Sequence, residues 1–179
     1  MTSTLTATDV VAAFARRDVL VPGLSAAAPE LARACHAMAG RFARGGRLLA
    51  FGEGTAAADA AHVVVEFAHP VIVGKRALPA QRLADPTTLP LFAEPDDIAL
   101  GFGGGDRTAA AFTAAVGGGL LTVALVGSGD PVGALPGLDH VLAVPSDDPR
   151  VVREGHVTAY HVLWELVHVF LEAGVVGVG

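Results

Sequence analysis

Apolar residues along the chain follow two patterns, one with the spacing of a helix and the other in short continuous runs. Apolar positions three or four residues apart, or long stretches of good helix formers, indicate helices. Helices are predicted at about residues 9–17, 28–43, 56–67, 108–116 and 151–172. We expect Thr8 or Asp9 to be the N-cap of the first helix and Asp106 to be the N-cap of the fourth.

Four short apolar runs lie between these helices and predict strands. They cover residues 47–51, 97–102, 120–126 and 140–144. Runs that are apolar on both faces are typical of parallel strands that helices cover on both sides of a sheet. The alternation of strands and helices therefore predicts an α/β fold, with a doubly wound parallel sheet flanked by helices.

The segments between the predicted helices and strands indicate how many domains the chain has. Prolines within residues 78–96 predict an irregular connection with at most one short strand. Because no linker divides the chain, we predict a single domain over residues 1–179. Its predicted parts are N-terminal helices (1–44), an α/β core (45–148) and a long C-terminal helix (149–173).

Charge and hydropathy exclude several classes of protein. Twelve basic residues against 18 acidic ones give a net charge of −6, which argues against a nucleic-acid binder, since neutralising phosphates needs clustered Lys and Arg. No apolar run reaches the roughly 18 residues of a membrane span. The N-terminal residues do not resemble a secretory signal, so the cytoplasm is the expected location.

Two further features of the composition bear on assembly and on the core. The single cysteine, Cys35, cannot form an internal disulfide, and we expect it in the core. A mean hydropathy of +0.52 leaves more apolar surface than one small domain readily buries. We therefore predict a homo-oligomer.

Two glycine-rich turns each join a predicted strand to the start of a helix. The first is Gly52-Glu53-Gly54-Thr55, and the second is Gly103-Gly104-Gly105. In open α/β sheets ligands bind beyond the carboxyl ends of the strands, and the N–H groups at a helix N-terminus suit an anion. The turns therefore predict a phosphate site, although tight turns also need glycine for backbone reasons alone.

The first turn also permits a different hypothesis. Gly52-x-Gly54-x-x-Ala57 satisfies the dinucleotide fingerprint, and Lys75 and Arg76 lie where basic residues could suit the 2′-phosphate of NADP. The match is short, however, and no second catalytic domain follows it.

Polar residues form a stripe on each of two otherwise apolar helices. Asp59, His62 and Glu66 share one face of the helix after the first turn. The stripe on the last helix consists of Glu154, Thr158, His161, Glu165 and His168. Imidazole and carboxylate groups serve in general acid–base catalysis and as zinc ligands, but such a stripe can also simply face solvent.

Other histidines and aromatic residues have simpler expected roles. Surface or capping roles are expected for His69, His140, His156 and His168. Tyr160 and Trp164 are expected to be packing residues.

Two distant segments resemble one family. The segment Gly52-Glu-Gly-Thr-Ala-Ala-Ala-Asp59-Ala-Ala-His62-Val-Val-Val-Glu66-Phe67 resembles the Gly-Asn-Gly-Gly-Ser-x-x-Asp-Ala-x-His-x-x-x-Glu-Leu signature of phosphoheptose isomerases, in the sugar isomerase (SIS) superfamily. Glu154-Gly-His156, followed by His161-Val-Leu-Trp-Glu165-Leu, resembles the C-terminal helix of that family. Between its second helix and second glycine turn the chain is shorter than the family norm.

The resemblance implies a function and a set of site residues. It implies an aldose–ketose isomerase that acts on a sugar or sugar phosphate through an enediol, in a tetramer or dimer. Glu66 and His161 would be the acid–base pair, and His62, Glu66 and His161 would bind zinc or another divalent metal. The implied substrate-binding residues are Gly54, Thr55, Ala56, Asp59, Gly104, Gly105 and Thr108.

The chain also departs from the family pattern. Arg153 stands where the family has a glutamine ligand to the metal, and a guanidinium cation cannot coordinate one. Ala56 replaces a phosphate-binding serine, and Glu53 and Asp106 add negative charge beside the glycine turns. These changes indicate a divergent substrate. The alternative is a non-catalytic SIS-domain protein that binds a metal, a ligand or a partner.

Overall fold

The computed structural model describes residues 6–174, in which helices alternate with strands over most of the length. The helices are α1 (Ala7–Ala15), α2 (Leu20–Ala26), α3 (Ala28–Ala43), α4 (Ala56–Ala68), α5 (Leu89–Phe92), α6 (Asp106–Gly117) and α7 (Pro149–Glu172). The strands are β1 (Leu48–Gly52), β2 (Ala80–Arg82), β3 (Ile98–Phe102), β4 (Leu121–Gly127) and β5 (His140–Val144). Short 3₁₀ helices cover Pro86–Thr88 and Pro131–Ala134.

The five strands form one parallel sheet in the order β2-β1-β3-β4-β5. Every residue of β1 and β3 is buried, which explains why their sequences are apolar at each position. The predicted α/β fold is therefore confirmed. Because the strands are parallel, the turns after β1, β3 and β4 all lie at the same edge of the sheet.

Helices cover both faces of the sheet. The core on one face joins α3, α4 and α7 and includes Cys35, Phe67 and Tyr160. The core on the other face includes Phe51 and Phe112, whose rings pack edge to face. Cys35 is buried as predicted, and this burial raises the pKa of its thiol to about 12. None of the helices within residues 6–174 is long and apolar enough to cross a bilayer.

The N-terminal helices differ from the prediction. The N-cap of α1 is Thr6, which forms a capping box with Asp9, so the expected caps Thr8 and Asp9 lie inside the helix. Helix α2 was not predicted, because its Pro22-Gly23 pair is typical of a turn. Pro22 lies in the first turn of α2, where a missing N–H is tolerated. A Cβ at Gly23 would overlap Pro145, so glycine allows α2 to approach that loop.

A buried carboxylate joins the starts of β1 and β3. The side chain of Asp97 is almost fully buried, and it accepts hydrogen bonds from the backbone N–H of Arg47 (2.8 Å) and of Glu94 (3.0 Å). The Arg47 guanidinium donates to the same carboxylate, with an Nη2–Oδ2 distance of 2.6 Å. Burial raises the pKa of Asp97, but these hydrogen bonds outweigh it and hold the pKa below its usual value.

Replacing Asp97 with alanine is expected to lower the free energy of unfolding by about 2–3 kcal/mol at pH 7, because it leaves buried donors without an acceptor. Asp96→Ala is the matched control. It removes a half-exposed carboxylate that pairs with Arg44, and its loss is expected to be below about 1 kcal/mol. Urea unfolding measures both. Since the folded-state pKa of Asp97 is depressed, the difference in the free energy of unfolding between wild type and Asp97→Ala becomes smaller as the pH falls through that pKa. Equal losses for the two variants would contradict this account.

Candidate active site

The polar stripes of α4 and α7 meet where these two helices pack together. Glu66 Oε1 lies 3.0 Å from His62 Nε2 and 3.6 Å from His161 Nε2. The carboxylate is mostly covered, whereas each imidazole is nearly half exposed. The stripes therefore do more than face solvent, because they form a cluster of one carboxylate and two imidazoles that is open on one side.

A tyrosine fixes one of these imidazoles. The Tyr160 hydroxyl lies 2.6 Å from His62 Nδ1, and burial raises the pKa of Tyr160 to about 12. A hydroxyl that keeps its proton can donate to Nδ1, which places the proton of neutral His62 on Nε2, facing Glu66. Tyr160 is a packing residue as expected, but this second role was missed. The one signal in the sequence is that Tyr160 directly precedes His161.

A cleft of about 330 Å³ opens at the carboxyl edge of the sheet, beside the cluster on the same two helices. Its lining includes Thr55, Ala56, Asp59, Gly103, Asp130, Arg153 and His156. Three of the predicted substrate-binding residues therefore line this cleft, namely Thr55, Ala56 and Asp59. The other four, which are Gly54, Gly104, Gly105 and Thr108, are not among its lining residues. Asp59 lies one turn before His62 on α4, but His62, Glu66 and His161 are not among the residues that line the cleft.

Arg153 and Asp59 form an ion pair across the cleft. Arg153 Nε donates to Asp59 Oδ1 over 3.1 Å, and the carboxylate is almost fully buried while the guanidinium is half exposed. Arg153 therefore neutralises a buried carboxylate that would otherwise face the cleft alone. Arg153 is the residue that stands where the family resemblance implies a fourth metal ligand, and here it pairs with Asp59 instead.

Two histidines are more buried than the sequence indicated. Surface or capping roles were expected for His156 and His168, but they are 6% and 2% exposed. His168 lies within hydrogen-bonding distance of the carbonyl oxygens of Trp164 and Arg76. His156 lines the cleft, and its Nε2 has no hydrogen-bond partner within the described residues. Burial lowers the pKa of His156, which favours the neutral imidazole.

The first N–H groups of helix α6 are bound by a side chain from another turn. The N-cap of α6 is Gly105, which has no side chain, and the expected cap Asp106 is instead the first residue of the helix. Glu53 Oε2 accepts hydrogen bonds from the backbone N–H groups of Arg107 and Thr108, and both N–O distances are 3.0 Å. The pKa of Glu53 is held below its usual value mainly by the hydrogen bond from the Arg107 guanidinium and next by the one from the Thr108 N–H. Glu53 thus adds negative charge beside the turn, as expected, and the chain itself pairs this carboxylate with Arg107.

Removing the Tyr160 hydroxyl is expected to release His62 from a single tautomer. In metal-free wild type, the ¹⁵N shifts of the His62 ring should show protonation at Nε2, and in metal-free Tyr160→Phe they should move towards the average of the two tautomers. Long-range ¹H–¹⁵N spectra measure this at a pH where the ring is neutral. The internal control is His140, which pairs with Glu30 and does not contact Tyr160. Its ¹⁵N shifts should be the same in both proteins. A wild-type His62 with its proton on Nδ1 would contradict the assignment.

The chain is similar to known sugar isomerases in sequence and in fold. No protein-family model matches it. It is 31% identical over 167 residues to a phosphoheptose isomerase of Solidesulfovibrio magneticus, which covers 82% of this chain and 81% of the relative. A phosphoheptose isomerase of Roseiflexus sp. is 32% identical over 174 residues, or 84% of this chain and 86% of the relative. The solved phosphoheptose isomerase of Neisseria gonorrhoeae, at 21% identity, superposes with a TM-score of 0.78 over 89% of this chain and 97% of its own.

Proposed function

This chain belongs to the phosphoheptose isomerase family, and we propose that it is an aldose–ketose isomerase that acts on a sugar or sugar phosphate through an enediol. The observation that carries the proposal is the position of Glu66 between two imidazoles at the α4–α7 contact. The sugar-phosphate class comes from the names of the relatives. The residue roles are those that the family resemblance implies, and the short distances within the cluster support them.

The cluster has the groups that this reaction needs. Isomerisation moves one proton between adjacent carbons and another between their oxygens, so it requires a base at carbon and an acid–base group at oxygen. In our proposal Glu66 removes the proton from the hydroxyl-bearing carbon and returns it to the former carbonyl carbon. His161 donates a proton to the carbonyl oxygen and accepts one from the neighbouring hydroxyl. Carbon is oxidised at one position and reduced at the next, so no external oxidant is needed.

His62 and Tyr160 would position the base. In the metal-free protein, with its proton on Nε2, His62 donates to the Glu66 carboxylate and fixes its orientation. If Nε2 held a metal instead, the ring proton would lie on Nδ1 and be donated to the Tyr160 hydroxyl. Because the Tyr160 side chain is fully buried, its hydroxyl is held in place against the His62 ring. The Arg153–Asp59 pair lies on the same two helices towards the cleft, where the remainder of a sugar would bind.

The same cluster fits a divalent metal. The ligand atoms of His62, Glu66 and His161 all lie within 4.8 Å of one another, the one such group of three found among residues 6–174. Two imidazoles and a carboxylate suit zinc, so we propose that these residues hold it. A bound zinc ion would polarise the sugar oxygens as a Lewis acid. Because the Arg153 guanidinium cannot coordinate a metal, this proposal has three protein ligands.

The N-terminal helices support the proposal of a homo-oligomer, with the tetramer or dimer implied by the family resemblance. None of the residues of α1 is buried, and Val11 and Phe14 are each about two-thirds exposed. On α2, Val21 is similarly exposed. Apolar side chains grouped in this way are typical of surfaces between subunits. Light scattering at micromolar concentration would show a monomer if this proposal were wrong.

Replacing Glu66 with glutamine is expected to lower the rate of deuterium incorporation from heavy water into the sugar by at least about a hundredfold, because an amide cannot accept the carbon proton. Sedoheptulose 7-phosphate and its unphosphorylated sugar are the probes, and mass spectrometry gives the rate. Glu165→Gln is the matched control, since Glu165 is an exposed carboxylate on α7. Exchange at the wild-type rate in Glu66→Gln would refute the role of Glu66. Exchange with neither sugar in wild type would favour the binding-protein alternative.

We expect one zinc ion per chain in wild-type protein after dialysis against buffered zinc, as measured by elemental analysis. His62→Ala and His161→Ala should each weaken zinc binding by at least about tenfold, because each removes one of three protein ligands. His69→Ala provides the control, because it removes an exposed imidazole at the end of α4 outside the cluster. Equal zinc content in all four proteins would place the metal elsewhere.

A further inference from the structure

The N-terminus of α6 is filled by a carboxylate from the chain itself. Strands β1 and β3 are neighbours, and the turn after β1 carries Glu53 across to the loop after β3. At the carboxyl edge of such a sheet, the free N–H groups of a helix N-terminus ordinarily bind an anionic group of the ligand. Here Glu53 has taken the place of that external anion.

The contacts show that the site is built around Glu53. Its carboxylate accepts two backbone N–H groups and the Arg107 Nε, which lies 2.8 Å from Oε1. Gly105 has a φ of +95°, and a Cβ at this position would overlap Glu53 Oε2, so glycine both permits the turn and leaves room for the carboxylate. The Thr108 hydroxyl is fully buried at the same helix end, and it has no hydrogen-bond partner within the described residues.

A phosphate dianion would compete poorly for this position. The donors that would bind it are already used, and the Glu53 carboxylate would lie against it with the same sign of charge. Arg107 could offset that charge only by releasing Glu53. A sugar hydroxyl meets neither obstacle, because it is neutral and can donate to the carboxylate.

We propose that Glu53 is a specificity-determining residue, which closes the α6 N-terminus to phosphate and selects a sugar that presents a hydroxyl to this turn. The inference rests on the proposed isomerase function, because it assigns the substrate class of the same site. It also implies that phosphate affinity is latent in the fold. Removing the carboxylate would leave two backbone N–H groups and the Arg107 guanidinium without the anion that they now bind, and Asp85 would be an acidic neighbour of Arg107.

The first test measures phosphate binding without any turnover. Inorganic phosphate is titrated into wild type, Glu53→Ala and Glu53→Gln while the amide signals of Arg107 and Thr108 are followed by NMR. Glu53→Ala should bind phosphate at least about tenfold more tightly than wild type, because donors and positive charge are released. Glu53→Gln keeps the size of the side chain and loses only the charge, so it should show a smaller gain. Its phosphate affinity can also be measured if the alanine variant folds poorly.

Glu172→Ala is the matched control. Glu172 is a carboxylate that pairs with Lys75 near the end of α7, and its removal should leave phosphate binding at these two amides unchanged. If wild type binds phosphate at Arg107 and Thr108 as tightly as Glu53→Ala does, phosphate displaces Glu53 and the proposal is overturned. Phosphate binding that remains equally weak in both Glu53 variants would overturn it as well.

The second test compares kcat/KM for a phosphorylated sugar and its unphosphorylated counterpart. Wild type should favour the unphosphorylated sugar, and Glu53→Ala should shift the ratio towards the phosphorylated one by at least about tenfold. If isomerisation occurs but the ratio does not move, the inference about Glu53 is wrong while the proposed function stands. If no isomerisation is found with either sugar, the proposed function fails and the phosphate titration still decides the role of Glu53.

Discussion

The packing of α4 against α7 is the contact on which the site depends. Buried side chains such as Val63 on α4 and Leu163 on α7 belong to the same core, and they set the register of one helix against the other. That register places His161 beside Glu66. Because side chains three or four residues apart share a helix face, a shift of either helix by a single residue would turn these groups away from one another. The cluster of His62, Glu66 and His161 therefore depends on the core beneath it.

Two carboxylates that follow β1 are each paired with an arginine from a later helix. Glu53 is paired by Arg107 and the start of α6, and Asp59 is paired by Arg153. In each pair the carboxylate lies in or just after the turn that follows β1, and the guanidinium comes from a later helix. Both pairs use groups that would otherwise be free to bind a charged ligand. The chain thus combines the proposed acid–base groups with two arginines that its own carboxylates already engage.

Much of the fold could be predicted from the sequence, because helical spacing and apolar runs report on local structure and burial. Helical spacing also placed His62 and Glu66 on one face, and the family resemblance added His161. Contacts that join distant turns were missed. The hydrogen bonds of Glu53 to α6 depend on the path of two loops across neighbouring strands, and the contact of Tyr160 with His62 depends on the angle between two helices. Neither leaves a periodic signal in the chain.

A double-mutant cycle on kcat/KM tests most directly whether the α4–α7 contact creates one catalytic unit. The variants are Glu66→Gln, His161→Asn and the two combined, with the isomerised sugar as substrate. Groups that act together in one reaction show strongly non-additive losses. We predict that the double variant is no more than about tenfold slower than the slower single variant. Losses that multiply across the cycle would show that Glu66 and His161 act independently, and would contradict the account.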